Sequence, residues 1–298
     1  MKRLVFASLF LISGSIIASA QIKLSFNPEK GKKYECQQKI IQNTVSTVMG
    51  QDFPMETEMN ITYLMEIKDK TPQEAHVQFT YGEVAYIISS PVMKMGYDSK
   101  NPVENPSGMD NMLDKMLSQL MNQSIMAVIL PDGSAKSVTG MDAVAESMNS
   151  PSVGDPMADQ MLGQLKQQFN DAALENSFNQ IFRIYPSNQV KAGDRWNLES
   201  AMEVNNMSIS VNTRYTLKEV SKNKATITEE SAIELKTSVN IVGNLSGTQS
   251  GVLLVDTQTG MPVSSEKTQN IKGVLNAHGF DVQTDINTKA KVSIKEVK

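Results

Sequence analysis

Alternation of apolar and polar residues dominates both ends of the chain. From Met59 to Ile67 the odd positions are apolar and the even positions are mostly polar, and the same period recurs in residues 75–81 and 207–218. It is most regular from Phe280 to Ile294, where the apolar side chains fall on even positions. A period of two is that of a half-buried strand. Long strands with one polar face are typical of antiparallel sheets, so we predict β zones at residues 22–100 and 186–298.

The stretch between the two β zones follows a helical period instead. Its first part carries one amphipathic stripe, made of Met109, Met112, Leu113, Met116, Leu117, Leu120 and Met121. A small hairpin is predicted around the turn Pro131-Asp132-Gly133-Ser134. A second helix is predicted to begin at Asp155, which can cap it, and to continue to Phe182.

These zones predict an α+β fold. Its main element is a large, twisted antiparallel β-sheet, half-barrel-like in form, with a helical insertion at residues 107–183 packed on its apolar face. A lone sheet has to cover its apolar face, and the helical zone is the candidate for that cover. We expect residues 21–298 to form a single domain.

A short pattern occurs near the start of each β zone. Residues 31–36 (Gly-Lys-Lys-Tyr-Glu-Cys) match residues 193–198 (Gly-Asp-Arg-Trp-Asn-Leu) as glycine, two charges, an aromatic, a polar and an apolar residue. Each match is followed by a strand with a tyrosine, at Tyr63 and at Tyr215. The pattern indicates either an internal duplication or merely a common way to open a strand.

The N-terminus has the pattern of an export leader. Lys2 and Arg3 precede a mostly apolar run, which ends at the small residues Ala18-Ser19-Ala20. The run has about 14 residues, fewer than the ~20 that cross a bilayer as a helix. We therefore expect residues 1–20 to be a signal peptide that is cleaved after Ala20. The mature chain would be soluble, either periplasmic or secreted, with no transmembrane segment.

Composition disfavours several function classes. The chain has 28 basic and 32 acidic residues, interspersed, whereas nucleic-acid binding needs a concentrated basic face. It has one cysteine and two histidines, which leave few options for metal or acid–base chemistry. No Gly-x-Ser-x-Gly, Walker, dinucleotide or His-Glu-x-x-His pattern occurs. We expect no enzyme activity, cofactor or metal, with Cys36 buried and inert and with His76 and His278 solvated.

Methionine is the unusual component. There are 19 methionines, most of them between Met93 and Met161. Three interpretations remain open: an ordinary helix core, an adaptable apolar binding surface, and a thioether site for Cu(I). For the binding surface, the candidate ligand contacts are Met109, Met112, Met116, Leu120, Met157 and Met161.

Three segments carry a family resemblance: Tyr185–Trp196, the pair Gly31 and Tyr34, and Asp256–Pro262. With them the chain resembles a family of exported proteins from Gram-negative bacteria that has only a domain-of-unknown-function label. The resemblance implies no catalytic residues. As a weaker analogy of fold, a long antiparallel sheet with a helical insertion is similar to periplasmic lipoprotein and lipid carriers.

Two functional hypotheses follow. In the first, an uncharacterised cell-envelope protein holds an apolar, lipid-like or amphipathic ligand between its sheet and its Met-rich helices. In the second, sheet and helices close on each other, and the protein has a structural or interaction role without a ligand. The volume and lining of any gap between sheet and helices distinguish the two.

Overall fold

The described strands form one open antiparallel sheet. A computed structural model describes residues 21–104, 106, 108–147, 170–204, 207–237, 241–277 and 280–297. The strands in this part are β1 (Lys33–Val48), β2 (Gln51–Lys70), β3 (Ala75–Ser90), β4 (Met93–Asp98), β5 (Ser124–Ile129), β6 (Ala135–Thr139), β7 (Arg195–Val204), β8 (Met207–Ser221), β9 (Lys224–Thr237), β10 (Ile241–Asp256), β11 (Pro262–Ala277) and β12 (Phe280–Val297). Their order in the sheet is β6-β5-β3-β2-β1-β12-β11-β10-β9-β8-β7, with β4 paired to β3.

The described helices are few and short. They are α1 (Gly108–Leu117), a 3-10 turn (Ser118–Leu120), α2 (Met141–Ser147) and α3 (Asp171–Phe182). The predicted start of the second helix at Asp155 lies outside the described residues. The α3 helix itself begins after Asn170, whose side-chain oxygen accepts a hydrogen bond of 2.7 Å from Ala173 N.

The α+β expectation is only partly right, because the described chain is mostly β. The predicted hairpin is present as β5 and β6, but β5 pairs with β3 and so extends the main sheet. Residues 107–183 are therefore not a purely helical insertion. The pairing joins Ala75 to Ile129 and Thr80 to Ser124, and such a distant pairing is not visible in a local period.

The two β zones open with the same backbone hydrogen bonds. Gly31 N donates to Ile67 O at 2.8 Å and Ile67 N donates to Lys32 O at 2.9 Å. In the second zone Gly193 N donates to Leu217 O at 2.7 Å and Leu217 N donates to Asp194 O at 3.0 Å. Both glycines have positive φ, +83° and +92°, a region that glycine enters without strain. The short sequence pattern is thus a real structural correspondence.

The correspondence extends across five strands. The β2–β3 register shifts between Ile67 and Asp69, and the β8–β9 register shifts between Leu217 and Glu219. The β5–β6 and β10–β11 pairs also shift at equivalent places, after Val128 and after Leu254. We call β1, β2, β3, β5 and β6 the first half, and β7 to β11 the second half; β12 lies between them in the sheet.

The structure corrects the alignment of the two halves. Tyr34 pairs with Met65, and its counterpart Trp196 pairs with Tyr215. Met65 therefore corresponds to Tyr215, and Tyr63 corresponds to Thr213 instead of to Tyr215.

The two halves differ in how they are packed. In the first half Phe79 stacks on Phe178 of α3 with ring centroids 4.4 Å apart, and it also contacts Tyr63 and Phe182. Cys36 lies fully buried in the same core, as predicted, and burial raises the pKa of its thiol. The second half has a small separate apolar cluster, formed by Ile233, Leu245 and Ile271 with partly buried neighbours. The main core therefore belongs mostly to the first half.

Candidate ligand-binding cavity

A cavity of about 560 Å³ lies between α3 and the inner face of the sheet, along the second half, β12 and the adjoining part of β1; this face also carries the core. Its apolar wall includes Ile40, Ile181, Leu198, Ala201, Ile209, Val211, Tyr215, Ile233, Leu235, Ile271, Ile286, Ala290 and Val292. Its polar wall includes Gln38, Gln42, Asn176, Asn179, Gln180, Arg183, Glu199, Ser200, Thr213, Gln249, Ser265, Lys267, Gln269 and Thr288. The size is within the usual range for a small-molecule site.

Strand register sorts the inner face into rows that run across the strands. An aliphatic row contains Val211, Ile233, Ile271 and Ile286, with Gly247 between the second and third. The next row, the polar row, is uncharged and crosses six strands. Its members are Thr213, Ser231, Gln249, Gln269, Thr288 and Gln42. Apolar and hydrogen-bonding groups therefore lie side by side on one wall.

Hydrogen bonds link neighbours within the polar row. The Thr213 and Ser231 hydroxyls lie 2.9 Å apart. Gln269 Nε2 donates to Gln249 Oε1 at 3.4 Å, and Gln249 Nε2 donates to Glu229 Oε1 at 2.9 Å. The anionic Glu229 thus fixes the orientation of Gln249, because a carboxylate only accepts.

Glu229 and Lys267 form an ion pair across an intervening strand. Glu229 is on β9 and Lys267 is on β11, and both lie opposite Gly251 of β10. The Lys267 Nζ and Glu229 Oε2 atoms are 3.1 Å apart, with the carboxylate fully buried and the lysine side chain 18% exposed. A Cβ on residue 251 would lie 3.0 Å from Glu229 Oε1, so the glycine makes room for this contact.

The surroundings of this pair are unusual for a sheet interior. The Nζ–Oε2 contact is close enough for an ion pair but lacks hydrogen-bond geometry, so Oε2 has no hydrogen-bond donor in the described chain. Lys267 Nζ also donates to the Gln180 carbonyl of α3 at 3.4 Å. Tyr215 of β8 lies opposite Glu229. Burial, and to a lesser degree the Glu229 carboxylate, raises the pKa of Tyr215.

A buried hydroxyl on the cavity wall also lacks a partner. Ser265 is 7% exposed, and its Oγ has no hydrogen-bond partner in the part of the chain that the structure describes. A buried polar group without a partner is uncommon and needs an explanation.

The polar positions of the second half correspond to the core of the first half. Strand pairing identifies five equivalent positions at which a buried aromatic or aliphatic residue of the first half is replaced by a polar residue or a glycine in the second. The pairs, first half then second, are Tyr63 and Thr213, Phe79 and Glu229, Tyr81 and Ser231, Ile125 and Gly251, Val138 and Ser265. The second half therefore carries polar or small residues where the same architecture otherwise packs a core.

Three of the residues predicted from the methionine stripe can be placed, and they lie away from the cavity. Met116 and Leu120 are buried in the main core and Met112 is half-buried, and the cavity lining includes none of the three. The Met109 side chain, Met157 and Met161 lie outside the described residues. The helix that bounds the cavity is α3, because its residues Asn176, Asn179, Gln180 and Ile181 line it. A ligand contact by the stripe stays a prediction.

Two further sequence predictions can be placed. Ile286 of β12 points inward as expected but lies half-buried on the cavity wall. Phe280, predicted to face the core, is 49% exposed, so that part of the prediction is wrong. Both histidines were predicted to be solvated. The His76 side chain is partly exposed, with its Nε2 3.1 Å from Glu74 Oε1, whereas His278 is outside the described residues.

Sequence reasoning missed the polar row, although a signal for it exists. In β9 the inward positions read Ile227, Glu229, Ser231 and Ile233, so polar residues interrupt an apolar phase. Within the described part, no group of three or more potential ligands is arranged to hold a metal ion. No helix there is long and apolar enough to span a membrane.

Fold and cavity together define an open antiparallel β-sheet protein with a ligand-sized space between its sheet and a helix. The chain belongs to the family of unknown function DUF6263, whose model matches residues 72–262 and so includes parts of both halves. This match confirms the expected resemblance to a family labelled only as a domain of unknown function. No curated protein sequence matches the chain.

Several solved structures resemble parts of this fold at low identity. Lipovitellin, described by its lipid–protein interactions, is 11% identical with a TM-score of 0.48, over 90% of this chain and 25% of that one. The chain thus spans about a quarter of the lipovitellin chain. An outer membrane channel from Pseudomonas putida F1 is 7% identical with a TM-score of 0.25, over 90% and 96% of the two chains. The translocator domain of the autotransporter NalP from Neisseria meningitidis is 6% identical with a TM-score of 0.23, over 89% and 88%.

Proposed function

We propose that this protein is a non-enzymatic binding protein that holds an amphipathic ligand in the cavity between α3 and the second half of the sheet. The observation that carries the proposal is the replacement of core residues by polar ones at equivalent positions of a repeated architecture. Burying hydroxyls, amides and a carboxylate costs free energy that an apolar core would avoid. Local rules are typically broken in this way at functional sites.

The arrangement of the wall supports an amphipathic ligand in particular. The aliphatic row, with Ile233 and Ile271, offers apolar contact for a hydrocarbon portion. The polar row next to it, with Gln249 and Gln269, offers hydrogen bonds for a head. Ligand sites generally combine a mostly apolar lining with a few placed polar groups.

The alternative is a structural or interaction protein with a closed core and no ligand. The first half favours it, because Phe79, Phe178 and Phe182 fill the space between sheet and helix there. The two functions differ in whether the cavity binds a ligand, and ligand binding can be measured directly.

Binding of Nile red, followed by its fluorescence and by displacement with single-chain lipids below their aggregation concentration, tests the proposal. We expect saturable binding to the wild type and at least a tenfold loss in Val211→Trp, which fills the aliphatic row. The matched control is Asn212→Trp, since the next residue of β8 points to the outer face. Absence of saturable binding, or an equal effect of the two substitutions, would contradict the proposal.

The proposed setting is the cell envelope or the extracellular space. Support comes from the leader pattern in residues 1–20, which lie outside the described part. N-terminal sequencing of the protein from its own cells should begin at Gln21. A mature product that begins at Met1 would remove this part of the proposal.

A further inference from the structure

We infer that the head of the ligand is uncharged and hydrogen-bonding, a hydroxyl, ester or amide attached to a hydrocarbon chain. The inference rests on the proposed function and specifies the ligand class for the same cavity. Two observations lead to it: the polar groups that the wall presents in the polar row are uncharged, and the buried charges beside them already form a pair.

The polar groups that the wall presents in the polar row are uncharged. Thr213, Gln249, Gln269 and Thr288 all line the cavity. Hydroxyls and carboxamides can each donate and accept hydrogen bonds. A row of such groups matches a head that contains both donors and acceptors of hydrogen bonds. Hydroxyl and amide groups provide both, and an ester provides acceptors.

Two charged groups beside the polar row, Lys267 and Glu229, are already paired with each other. Lys267 lies 3.1 Å from the buried Glu229 carboxylate and 3.4 Å from the Gln180 carbonyl. The pair is neutral as a unit. A charged head next to it would lose its hydration without gaining an unpaired counter-ion, and such a loss disfavours binding.

Ser265 supplies a second, independent observation. Its hydroxyl lines the cavity, is buried and has no hydrogen-bond partner in the described chain, whereas the equivalent residue of the first half is the core residue Val138. A ligand oxygen or N–H at this point would complete the hydrogen bonding of Ser265. The serine thus acts as a contact to the head, and a valine there would replace its hydroxyl by the apolar side chain that the first half carries at Val138.

One cation could hold an anionic head instead, and the test has to address it. Arg183 lines the cavity, and its Nη1 donates to the Glu199 carbonyl of the edge strand β7 at 3.1 Å. If this guanidinium selected the ligand, an anionic lipid would bind best and Arg183→Gln would abolish the preference.

The experiment compares three lipids with the same 14-carbon chain at neutral pH, by calorimetry and Nile red displacement below their aggregation concentrations. They are 1-monomyristoylglycerol, myristate and tetradecyltrimethylammonium. We expect monomyristoylglycerol to bind the full-length mature protein at least tenfold more tightly than either charged lipid. Ser265→Val should weaken that binding about three- to tenfold, the size of one hydrogen bond. The neighbouring outer-face control Ser264→Val should change it less than twofold.

The outcomes separate this inference from the proposed function. Failure of all three lipids to bind contradicts the proposed function itself. Tighter binding of myristate that depends on Arg183, or tighter binding of the quaternary amine, overturns the uncharged head while the binding function stands. An unchanged affinity in Ser265→Val, with thermal unfolding like that of the wild type, overturns the role of Ser265.

Discussion

Lys267→Met removes the cation from the buried ion pair and leaves the Glu229 carboxylate without its partner. Glu229 is fully buried on β9, and the Lys267 ammonium 3.1 Å away is the cation paired with it in the described chain. The remaining contact is the hydrogen bond from Gln249. The stability of this variant therefore measures how much the buried ion pair matters to the folding of this part of the sheet.

The expected loss of unfolding free energy is about 3 kcal/mol. Breaking a buried pair by removing one partner typically costs ~3–5 kcal/mol, and the 18% exposure of the Lys267 side chain places this case at the low end. Removing both charges, with Lys267→Met and Glu229→Leu, should be near neutral or stabilising, because no charge is left unpaired. The two substitutions are therefore strongly non-additive.

Urea unfolding followed by the fluorescence of the single tryptophan is a suitable assay. Trp196 stacks on Tyr215 with ring centroids 5.6 Å apart, and its indole N–H donates to the Ile184 carbonyl, so it reports on the second half. The control is Lys291→Met, which removes an exposed pair with Glu266 and should cost less than about 1 kcal/mol.

Two results would refute this reasoning. A loss below about 1 kcal/mol in Lys267→Met would mean that the carboxylate is not desolvated as the structure shows. A double variant less stable than Lys267→Met alone would mean that the substitutions disturb packing, and the charge argument would no longer apply.

Four further predictions concern other parts of the molecule. Met116→Ala should lower the free energy of unfolding by roughly 2–5 kcal/mol, because the side chain is buried in the core. Met112 is half-buried, so Met112→Ala should cost less and should leave the affinity for the cavity ligand unchanged; urea unfolding checks both stabilities. Gly247→Ala should destabilise the sheet, since a Cβ there would lie 2.0 Å from the Asn270 carbonyl oxygen, whereas Gly82→Ala meets nothing closer than 3.4 Å and should unfold at nearly the wild-type urea concentration. The Cys36 thiol should not react with an aromatic disulfide reagent until the protein unfolds, because burial raises its pKa and blocks access. Burial pulls the pKa of Asp256 upward, but hydrogen bonds from Thr259 and Lys224 outweigh it and hold that pKa below the usual 3.8. Asp256→Asn should therefore cost about 1–2 kcal/mol at pH 7 and progressively less below pH 4, which urea unfolding at pH 7 and below pH 4 would show.

Local periodicity predicted the strands well, because the direction of a side chain in a strand depends only on its position along that strand. From Val282 on, the even residues of β12 point inward, as their alternation indicated, and the hairpin of β5 and β6 lies where its turn residues placed it. The repeated glycine pattern at Gly31 and Gly193 likewise marked a real correspondence, because each glycine adopts the positive φ that opens its half.

Only the tertiary structure decided which side chains meet. The sequence indicates that Glu229 and Lys267 lie on strands, but their contact requires the registers of β9, β10 and β11 and the missing side chain of Gly251 between them. Thr288 and Gln42 share the polar row although they are 246 residues apart. The methionine stripe had the right period for a packed helix, yet the period could not show that α1 contacts β4 while α3 bounds the cavity. A period reports the direction of a side chain relative to its own strand or helix, whereas a binding site depends on pairings between distant segments that only the folded chain brings together.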